Sequence, residues 1–453
     1  MHNHIANGDG SRISLWLRVR EFAVPPSMIE TATARRRVGD WAGACAAAGF
    51  DVDVDLRSLA RTHGRELAAR VRADLRCLAP DLLRWHMPRV APDGLLRPGL
   101  TMTLARYHAG AGSMHLVVRT APAWADADQR ISLALWDESG VGNSPHPHPR
   151  PNRRFRLDLH RHLWDARRSN ELLIRSGAEQ FAENGTMDSR LRKMVPQGCA
   201  IDRWAAEAEI LLRAEGRPPG PLLVRFGARR RMVVELPSLR DDPVLRIAER
   251  YPRAMMPALP ILPDAATWVL PDLALIHAGA ITADRLHPLV AAALLPDYSP
   301  TEKSCDTDRV DQPRLVECRG EQHRIGLVNG ALTALDHDPA EIRREELLIA
   351  LSGTPLPCLQ AIDQAHRHPD CLVGVQDRLS HGDITGALAI VEGLLGPDAV
   401  LRAGALRDEL EASARRRITY GLFRSGLTGS GPTPIPTNRR RDYRSRPRNA
   451  TSR

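Results

Sequence analysis

The sequence predicts an α+β protein of several domains, in which antiparallel strand segments and helices precede an all-helical C-terminal domain and a disordered basic tail. Short strand-like runs separated by Gly- or Pro-containing turns lie between residues 100 and 137. Residues 338–420 carry helix-start signals and short joints, and such joints make consecutive helices pack as neighbours. A Gly/Ser/Thr/Pro stretch followed by arginines ends the chain, and this composition buries too little apolar surface to fold.

The N-terminal part of the chain is predicted to be mainly helical. Residues 1–23 are expected to be a weakly structured leader, and residues 24–98 a helical segment. Ser27 and Glu30 have the spacing of a capping box, in which each side chain binds a free backbone N–H at a helix start. Apolar residues at helical spacing follow in two ranges, 38–48 and 56–83.

Residues 99–335 are predicted to form an α+β region with a proline-rich linker near 144–151. Three runs predict an antiparallel meander: 100–107, 114–120 and 130–136. After the linker, residues 153–162 alternate apolar and polar side chains, which predicts a strand with one wet face. A helix is expected at 202–214, and two hairpins are expected at 222–226 with 232–236 and at 314–318 with 323–328.

Residues 336–425 are predicted to form the all-helical C-terminal domain, and residues 426–453 the disordered Arg-rich tail. The domain opens with Asp338, Pro339 and Glu341, which supply an N-cap, a proline at the first helical position and an acid in the first turn. Further helices are expected at 356–367, 369–379, 383–395 and 397–420.

Two distant segments resemble each other. Residues 39–44 and 382–387 both read Gly-Asp-x-x-Gly-Ala. An internal repeat would explain the match, but two short matches do not establish a period. Shared use of Gly-Asp at a helix start explains it equally well.

The positive charge is concentrated at the C-terminus. Of the net charge of +9, residues 438–453 carry +6, from seven arginines and one aspartate. The rest of the chain is therefore close to neutral, and its charge does not indicate a nucleic-acid-binding fold. Only Lys193 and Lys303 among the 63 basic residues are lysines, a bias typical of a high-GC bacterial genome.

A cytoplasmic location is expected. Residues 1–20 lack the basic region and apolar stretch of a secretory signal. The longest apolar stretch, 266–281, is interrupted by Pro271, Asp272 and His277, whereas a membrane span needs roughly 20 apolar residues. The seven cysteines are scattered along a long chain, unlike those of a small secreted disulfide scaffold.

No catalytic motif is complete in the sequence. Lys303 is followed by Ser304, but residues 296–302 contain no glycine, so a standard P-loop is excluded. The motifs G-x-S-x-G, H-E-x-x-H, C-x-x-C and G-x-G-x-x-G are absent. The sequence therefore predicts no catalytic residue and no cofactor.

The most metal-like group in the sequence is Cys358, His366, His368 and Cys371. All four can bind zinc and they lie within 14 residues, but their spacing matches no common structural zinc site. The alternative is core cysteines with exposed histidines at a helix junction.

Three weaker candidate metal groups each have a simpler interpretation. They are Asp51, Asp53 and Asp55; His160 and His162 with Asp158; and Cys305, Cys318 and His323. The aspartates are expected to form a solvated face that leads into a helix. The His160 and His162 side chains are expected to face solvent from an amphipathic strand, and His146 and His148 to lie in a flexible loop.

Two arginine clusters could contact nucleic acid. Arg229, Arg230 and Arg231 form a predicted hairpin tip, where they would meet phosphates in the manner of a winged-helix wing. Arg439, Arg440 and Arg441 lie in the tail. A solvated turn and a charged terminus without a dedicated role are the alternatives.

The leading prediction is a non-enzymatic interaction or regulatory protein that acts through its helical C-terminal domain, with another protein as partner. One alternative is an enzyme of unrecognised type, either with or without a metal. The other is a nucleic-acid-associated protein that uses Arg229–Arg231 or the basic tail. No membrane partner is expected.

Overall fold

The computed structural model describes residues 9–109, 112–137, 146–178, 189–227, 230–237, 245–248, 251–296, 314–318, 320–329, 331–352 and 356–427. The chain divides into two compact units, which we call the N-terminal unit (residues 1–300) and the C-terminal unit (residues 301–429). Each unit combines helices with antiparallel strands, so the α+β class is confirmed.

The N-terminal unit contains most of the secondary structure. Its helices are α1 (Asp9–Arg18), α2 (Pro26–Arg37), α3 (Trp41–Ala47), α4 (Leu56–His63), α5 (Arg65–Cys77), α6 (Pro80–His86), α7 (Leu172–Ser176), α8 (Ser189–Met194), α9 (Trp204–Ala214), α10 (Asp264–Thr267), α11 (Pro271–His277) and α12 (Pro288–Leu294). Its strands are β1 (Phe50–Asp53), β2 (Arg89–Val90), β3 (Leu95–Leu96), β4 (Thr101–Ala109), β5 (Gly112–Thr120), β6 (Ile131–Asp137), β7 (Gly220–Arg225), β8 (Arg231–Leu236) and β9 (Arg246–Ile247).

The first helix lies where a weakly structured leader was predicted. After α1 the chain continues through a π-helical turn at Val19–Ala23. Trp16 packs against Trp85 with ring centroids 5.4 Å apart, and Val19 is fully buried. Packing of these apolar side chains holds the segment in place. For residues 9–23 the leader prediction was wrong, because this segment is stabilised by distant packing partners, which leave no local signal in the sequence; residues 1–8 lie outside the described residues.

The main sheet has the strand order β1-β6-β5-β4. β4, β5 and β6 pair antiparallel as the meander predicted, and β1 joins the sheet parallel to β6. Alternate side chains of this sheet, including Met102, Leu116 and Leu133, pack into the largest apolar core of the unit.

Two helix starts differ from their prediction. α2 begins at Pro26, so Ser27 lies inside the helix and makes no capping hydrogen bond. The helix predicted at 56–83 is divided into α4, α5 and α6. Gly64, with φ +94°, separates the first two, because this backbone conformation is readily available only to glycine.

The segment predicted as an amphipathic strand at 153–162 is not a strand. It contains two short 3-10 turns, Leu157–Leu159 and Arg161–Leu163. His160 and His162 are both 2% exposed, so their expected exposure to solvent was wrong. The alternation of polar and apolar residues wrongly predicted a solvent-facing side, because the polar side chains contact buried partners instead of water.

The proline-rich segment is packed over its described part, residues 146–151. His146 is buried and its Nε2 lies 3.0 Å from the carbonyl oxygen of Thr120. Thr101 donates its hydroxyl to the carbonyl oxygen of His148 at 2.6 Å. These bonds fasten the segment to β4 and β5, so the expected flexible loop was wrong for these histidines.

A second sheet, β7-β8-β9, forms a separate core with α9. The predicted hairpin is confirmed: β7 and β8 pair antiparallel, with Leu222 opposite Val234. Trp204, at the start of α9, is fully buried in this core and donates its indole N–H to the carbonyl oxygen of Thr267 at 3.1 Å.

The C-terminal unit joins a small sheet to a helical region. Its strands are β10 (Arg314–Cys318), β11 (Glu321–Val328) and β12 (Ala331–Ala334), in the order β10-β11-β12 and all antiparallel. Its helices are α13 (Pro339–Ser352), α14 (Pro357–Arg367), α15 (Leu372–His381), α16 (Ile384–Leu395) and α17 (Ala405–Arg424). The C-terminal helical region is thus confirmed. Its compact unit begins earlier than residue 336, because the strands share an apolar core with α14.

Shared helix-start chemistry explains the two Gly-Asp-x-x-Gly-Ala segments. Asp40 accepts a hydrogen bond from the backbone N–H of Gly43 at 2.8 Å, and Asp383 accepts one from that of Gly386 at 2.9 Å. A Cβ atom at Gly43 or Gly386 would overlap the capping carboxylate. The recurring second glycine is therefore required by a tight N-cap.

Within the described ranges, no helix combines the length and the apolar composition that crossing a membrane requires.

Candidate metal centre

Two thiols and an imidazole converge in the C-terminal unit. Cys318 ends β10, Cys358 lies in the first turn of α14, and His337 lies between β12 and α13. The two Sγ atoms and one ring nitrogen of His337 all lie within 4.8 Å of one another. Both cysteines are fully buried, and the His337 side chain is 4% exposed. The three potential ligand atoms therefore surround a single point shielded from solvent.

The hairpin and the helix bring these residues together. Cys318 is paired with Glu321 across β10 and β11, and Val316 with His323. Because side chains alternate between the two faces of a sheet, Cys318 and His323 lie on the same face as diagonal neighbours. Cys358 shares an apolar cluster with Cys318, and that packing carries its thiol to the end of the hairpin.

His323 is stacked on His337 beside the thiols. The two ring centroids are 4.2 Å apart and the rings are nearly parallel, at 11°. The His323 side chain is 13% exposed, and its Nδ1 atom is buried without a hydrogen-bond partner in the described part of the chain. A second imidazole is therefore next to the three convergent ligands.

The orientation of His337 leaves one nitrogen available to an ion. Its Nδ1 lies 3.6 Å from Oε2 of Glu341, in the first turn of α13. Its Nε2 is buried and makes no hydrogen bond to any described residue. A carboxylate that faces one ring nitrogen while the other binds a metal is the usual support for a metal-bound histidine.

The pKa of the Cys358 thiol is raised in the cluster. Burial raises the pKa of Cys358 above its ordinary value, and a hydrogen bond with the Cys318 thiol raises it further. A divalent cation has the opposite effect, because it binds the thiolate and displaces the proton. Sulfur and imidazole ligands together select zinc over the hard cations calcium and magnesium, which prefer oxygen.

The zinc ligands proposed from the sequence do not share one site. Cys358 and His366 lie near opposite ends of α14, and eight residues of helix span about 12 Å. His368 is exposed, and Cys371 packs against a different apolar cluster from Cys358. A separation of eight residues along a helix is a long separation in space, so Cys358 and His366 do not meet at one point.

Only part of the observed cluster had a sequence signal. Cys318 and His323 share a weak candidate group in the sequence, and Cys358 belongs to another group. His337 carries no sequence signal, because nothing local distinguishes a histidine before a helix cap from an exposed one. Cys305 lies outside the described residues.

The structure gives structural roles to the aspartates of the predicted acidic face. Asp51 accepts hydrogen bonds from the Arg130 guanidinium at 2.5 and 3.0 Å. Asp55 caps α4 by accepting from the backbone N–H groups of Arg57 and Ser58 at 2.9 and 3.1 Å. The hydrogen bonds at Asp55 lower the pKa of its carboxyl group.

Of the arginines predicted to contact nucleic acid, only Arg230 and Arg231 lie in the described part of the chain. Arg230 donates to the carbonyl oxygen of Met194 at 2.6 Å and lies over the Phe226 ring, so its guanidinium is held against the protein. Arg231 is exposed in β8. The other residues of these clusters, Arg229, Arg439, Arg440 and Arg441, lie outside the described residues.

Comparisons of the chain with protein-family models, with curated proteins and with solved structures give no match.

Proposed function

We propose that this protein binds one zinc ion in its C-terminal unit and that the ion holds the small sheet against α13 and α14. The observation that carries the proposal is the convergence of Cys318, His337 and Cys358, whose ligand atoms lie within 4.8 Å of one another. The full burial of both thiols supports a structural ion, because catalytic zinc keeps a position open to water or substrate.

His323 is the fourth ligand in this proposal. Structural zinc sites are almost always tetrahedral. His323 stacks on His337, and its buried Nδ1 has no hydrogen-bond partner among the described residues, so it is an additional donor of suitable chemistry. Its ring would turn out of the stack with His337 to reach the ion. The resulting site has two thiolates and two imidazoles, supplied by β10, β11, the α13 entry and α14.

The ion would join segments that lie far apart in the chain. Residues 318, 337 and 358 belong to a strand, a loop and a helix, and the apolar core that contains Cys318 and Cys358 is small. Because ligands converge only in the folded state, the free energy of metal binding adds to the free energy of folding.

The test is the metal content of the purified full-length chain. We expect one zinc per chain by mass spectrometry, and near-complete loss in Cys318→Ser and Cys358→Ser. Cys371→Ser is the matched control, because Cys371 lies in the same unit and outside the cluster. Substitution by Co²⁺ reports the ligands directly, since tetrahedral thiolate coordination gives intense visible absorption. A folded wild-type chain that takes up neither metal would refute the proposal.

The apolar surface of α16 favours a second role, protein interaction through the helical region. This twelve-residue helix has a single ionisable residue, Glu392, yet only Ala387, Val391 and Leu395 are buried. Leu388 is 40% exposed. Leu388 and its neighbour Ala389 are exposed apolar residues, and exposed apolar patches mark interaction sites, so we propose that an apolar segment of another protein covers them.

A photo-crosslinking amino acid at position 388 tests that role. We expect a specific crosslinked partner that reassembles with the purified chain and that Leu388→Glu releases. Ala414, exposed on a different helix, α17, provides the control position. Crosslinking between two copies of the chain, or equal crosslinking from both positions, would contradict this role.

A further inference from the structure

A second polar site lies in the N-terminal unit, in a cavity unrelated to the thiol cluster. Its polar lining residues are His160, His162, Arg175, Ser176, Arg203 and Glu207, and Trp268 and Leu270 supply an apolar side. The cavity has room for roughly one water molecule. It therefore suits a small ion or the end group of a larger ligand.

Positive charge exceeds negative charge in the lining. Glu207 is the acidic residue of the lining and is 3% exposed. Arg175 donates to both of its carboxylate oxygens at 2.9 Å. The charge of this one guanidinium balances that of the carboxylate. Arg203 remains 3.8 Å from Glu207 with its side chain 12% exposed. Its buried guanidinium therefore brings a second positive charge against one carboxylate.

His160 also contacts Glu207. Its Nδ1 lies 3.0 Å from the carbonyl oxygen of Arg156, and its Nε2 lies 3.0 Å from Oε2 of Glu207. Two guanidinium groups and an imidazole are therefore placed around one carboxylate. Burying uncompensated charge is costly, so the cavity as described favours an additional negative group.

His162 supplies a donor without a partner. It is 2% exposed and lines the cavity, and its Nδ1 is buried with no hydrogen-bond partner among the described residues. Burial, followed by the nearby positive charges of His160 and Arg175, lowers its pKa well below the ordinary value. The ring is therefore neutral, and in one tautomer its Nδ1–H can donate to a bound anion.

We propose that this cavity binds a small monovalent anion: chloride, or the carboxylate group of an organic ligand. Arg203 and Arg175 supply the charge, and the Nδ1–H of His162 supplies a directed hydrogen bond. Trp268 and Leu270 would contact the carbon atoms of a carboxylate ligand. A dianion such as phosphate is disfavoured by the small space and by the Glu207 carboxylate.

Bromide, formate and acetate are the probes for the full-length chain. In chloride-free buffer at constant ionic strength, each anion that binds should raise the melting temperature with a saturable dose response. A crystal soaked in bromide should show an anomalous peak next to Arg203 and His162. Bromide binding alone would assign a halide site, and stronger saturation by formate or acetate would assign a carboxylate site.

Arg203→Gln and His162→Phe should abolish the saturable shift. Arg213→Gln is the matched control, because Arg213 is on α9, as Glu207 is, with its side chain 72% exposed. Arg203→Lys retains the charge and should retain a weakened response if the glutamine variant does not fold. An equal shift in all variants, or no shift and no anomalous peak in the wild type, would overturn the proposal.

Discussion

Trp85 donates its indole N–H to Oδ2 of Asp272 at 2.8 Å, and both side chains are completely buried. The same carboxylate lies 3.6 Å from the guanidinium of Arg20, which stacks over the Trp85 ring at 3.9 Å. α6, α11 and the segment after α1 therefore meet at one carboxylate. Burial lowers the pKa of Arg20, and Asp272 counteracts that effect.

Asp272→Asn should destabilise the protein by about 3–5 kcal/mol, because it leaves the buried charge of Arg20 without its counter-charge. The amide oxygen can still accept from Trp85, so the effect isolates the charge. Urea unfolding of the full-length chain measures it. Asp202→Asn, which removes an exposed partner of Arg192, should cost less than about 0.5 kcal/mol.

The double variant Arg20→Met with Asp272→Asn checks the cause of that loss. Removing both charges should recover part of the stability, since a buried pair can often be replaced by apolar groups. If the double variant is as unstable as the sum of the two single variants, charge compensation is not the reason.

The second glycine of the Gly-Asp-x-x-Gly segment should be intolerant of a methyl group. In Gly386→Ala the new Cβ would overlap the Asp383 carboxylate, so we expect a loss of about 1 kcal/mol, the usual value of an N-cap. Gly374→Ala, in α15, meets no atom within 4 Å and should instead stabilise the helix by about 0.5–1 kcal/mol. Opposite changes in melting temperature are the expected result; the same sign for both would contradict the cap argument.

Glu341 should tune zinc affinity without being a ligand. Its carboxylate faces Nδ1 of His337, and loss of such a partner typically weakens metal binding 10- to 100-fold. Glu341→Gln should therefore keep a stoichiometry of one while losing zinc earlier in competition with a chelating dye. Glu317→Gln, an exposed strand residue next to Cys318, should behave as the wild type. Unchanged affinity in Glu341→Gln would remove Glu341 from the site.

Acid should destabilise the N-terminal unit through His146. Burial lowers the pKa of His146 from 6.5 to about 4. Its neutral form is fully bonded: Nε2–H donates to Thr120, and Nδ1 accepts from the N–H of His148. Because the folded-state pKa is depressed, neutral His146 contributes its full stabilisation above pH 6.5. This contribution to the free energy of unfolding is lost as the pH falls towards 4.

His146→Gln should reduce the pH dependence of unfolding in that window, by up to about 3 kcal/mol. His86, whose pKa is also lowered to about 4 by burial, leaves part of the dependence in place. His63→Gln, at an exposed position, is the control. A variant slope identical to that of the wild type between pH 4 and 6.5 would show that His146 is charged in the folded chain.

Much of the fold could be predicted from short segments. The predicted pairings of β4 with β5, of β7 with β8 and of β10 with β11 are present. The helix after Asp338 starts as predicted, with Asp338 accepting from the N–H of Ala340 at 2.9 Å. These features depend on turn residues and caps that act within a few residues of each other.

The convergence of Cys318, His337 and Cys358 could not be predicted from the sequence, although Cys318 and Cys358 each belong to a candidate metal group there. Spacing along the chain grouped Cys358 with His366, but a helix separates them. Tertiary packing grouped Cys358 with Cys318 and His337 instead. The convergence depends on strand register and on the packing of α14 against a sheet, neither of which any local pattern encodes.

The sequence by itself determined the fold class, the helical C-terminal region and several helix starts, because backbone hydrogen bonds and caps are satisfied within a few residues. Only the tertiary structure decided the backbone conformation of residues 153–162 and whether the histidines are buried or exposed. His160 is buried because Glu207, 47 residues further along the chain, provides a charged partner at 3.0 Å. The same polar side chain faces water or the interior according to whether a distant group compensates its desolvation.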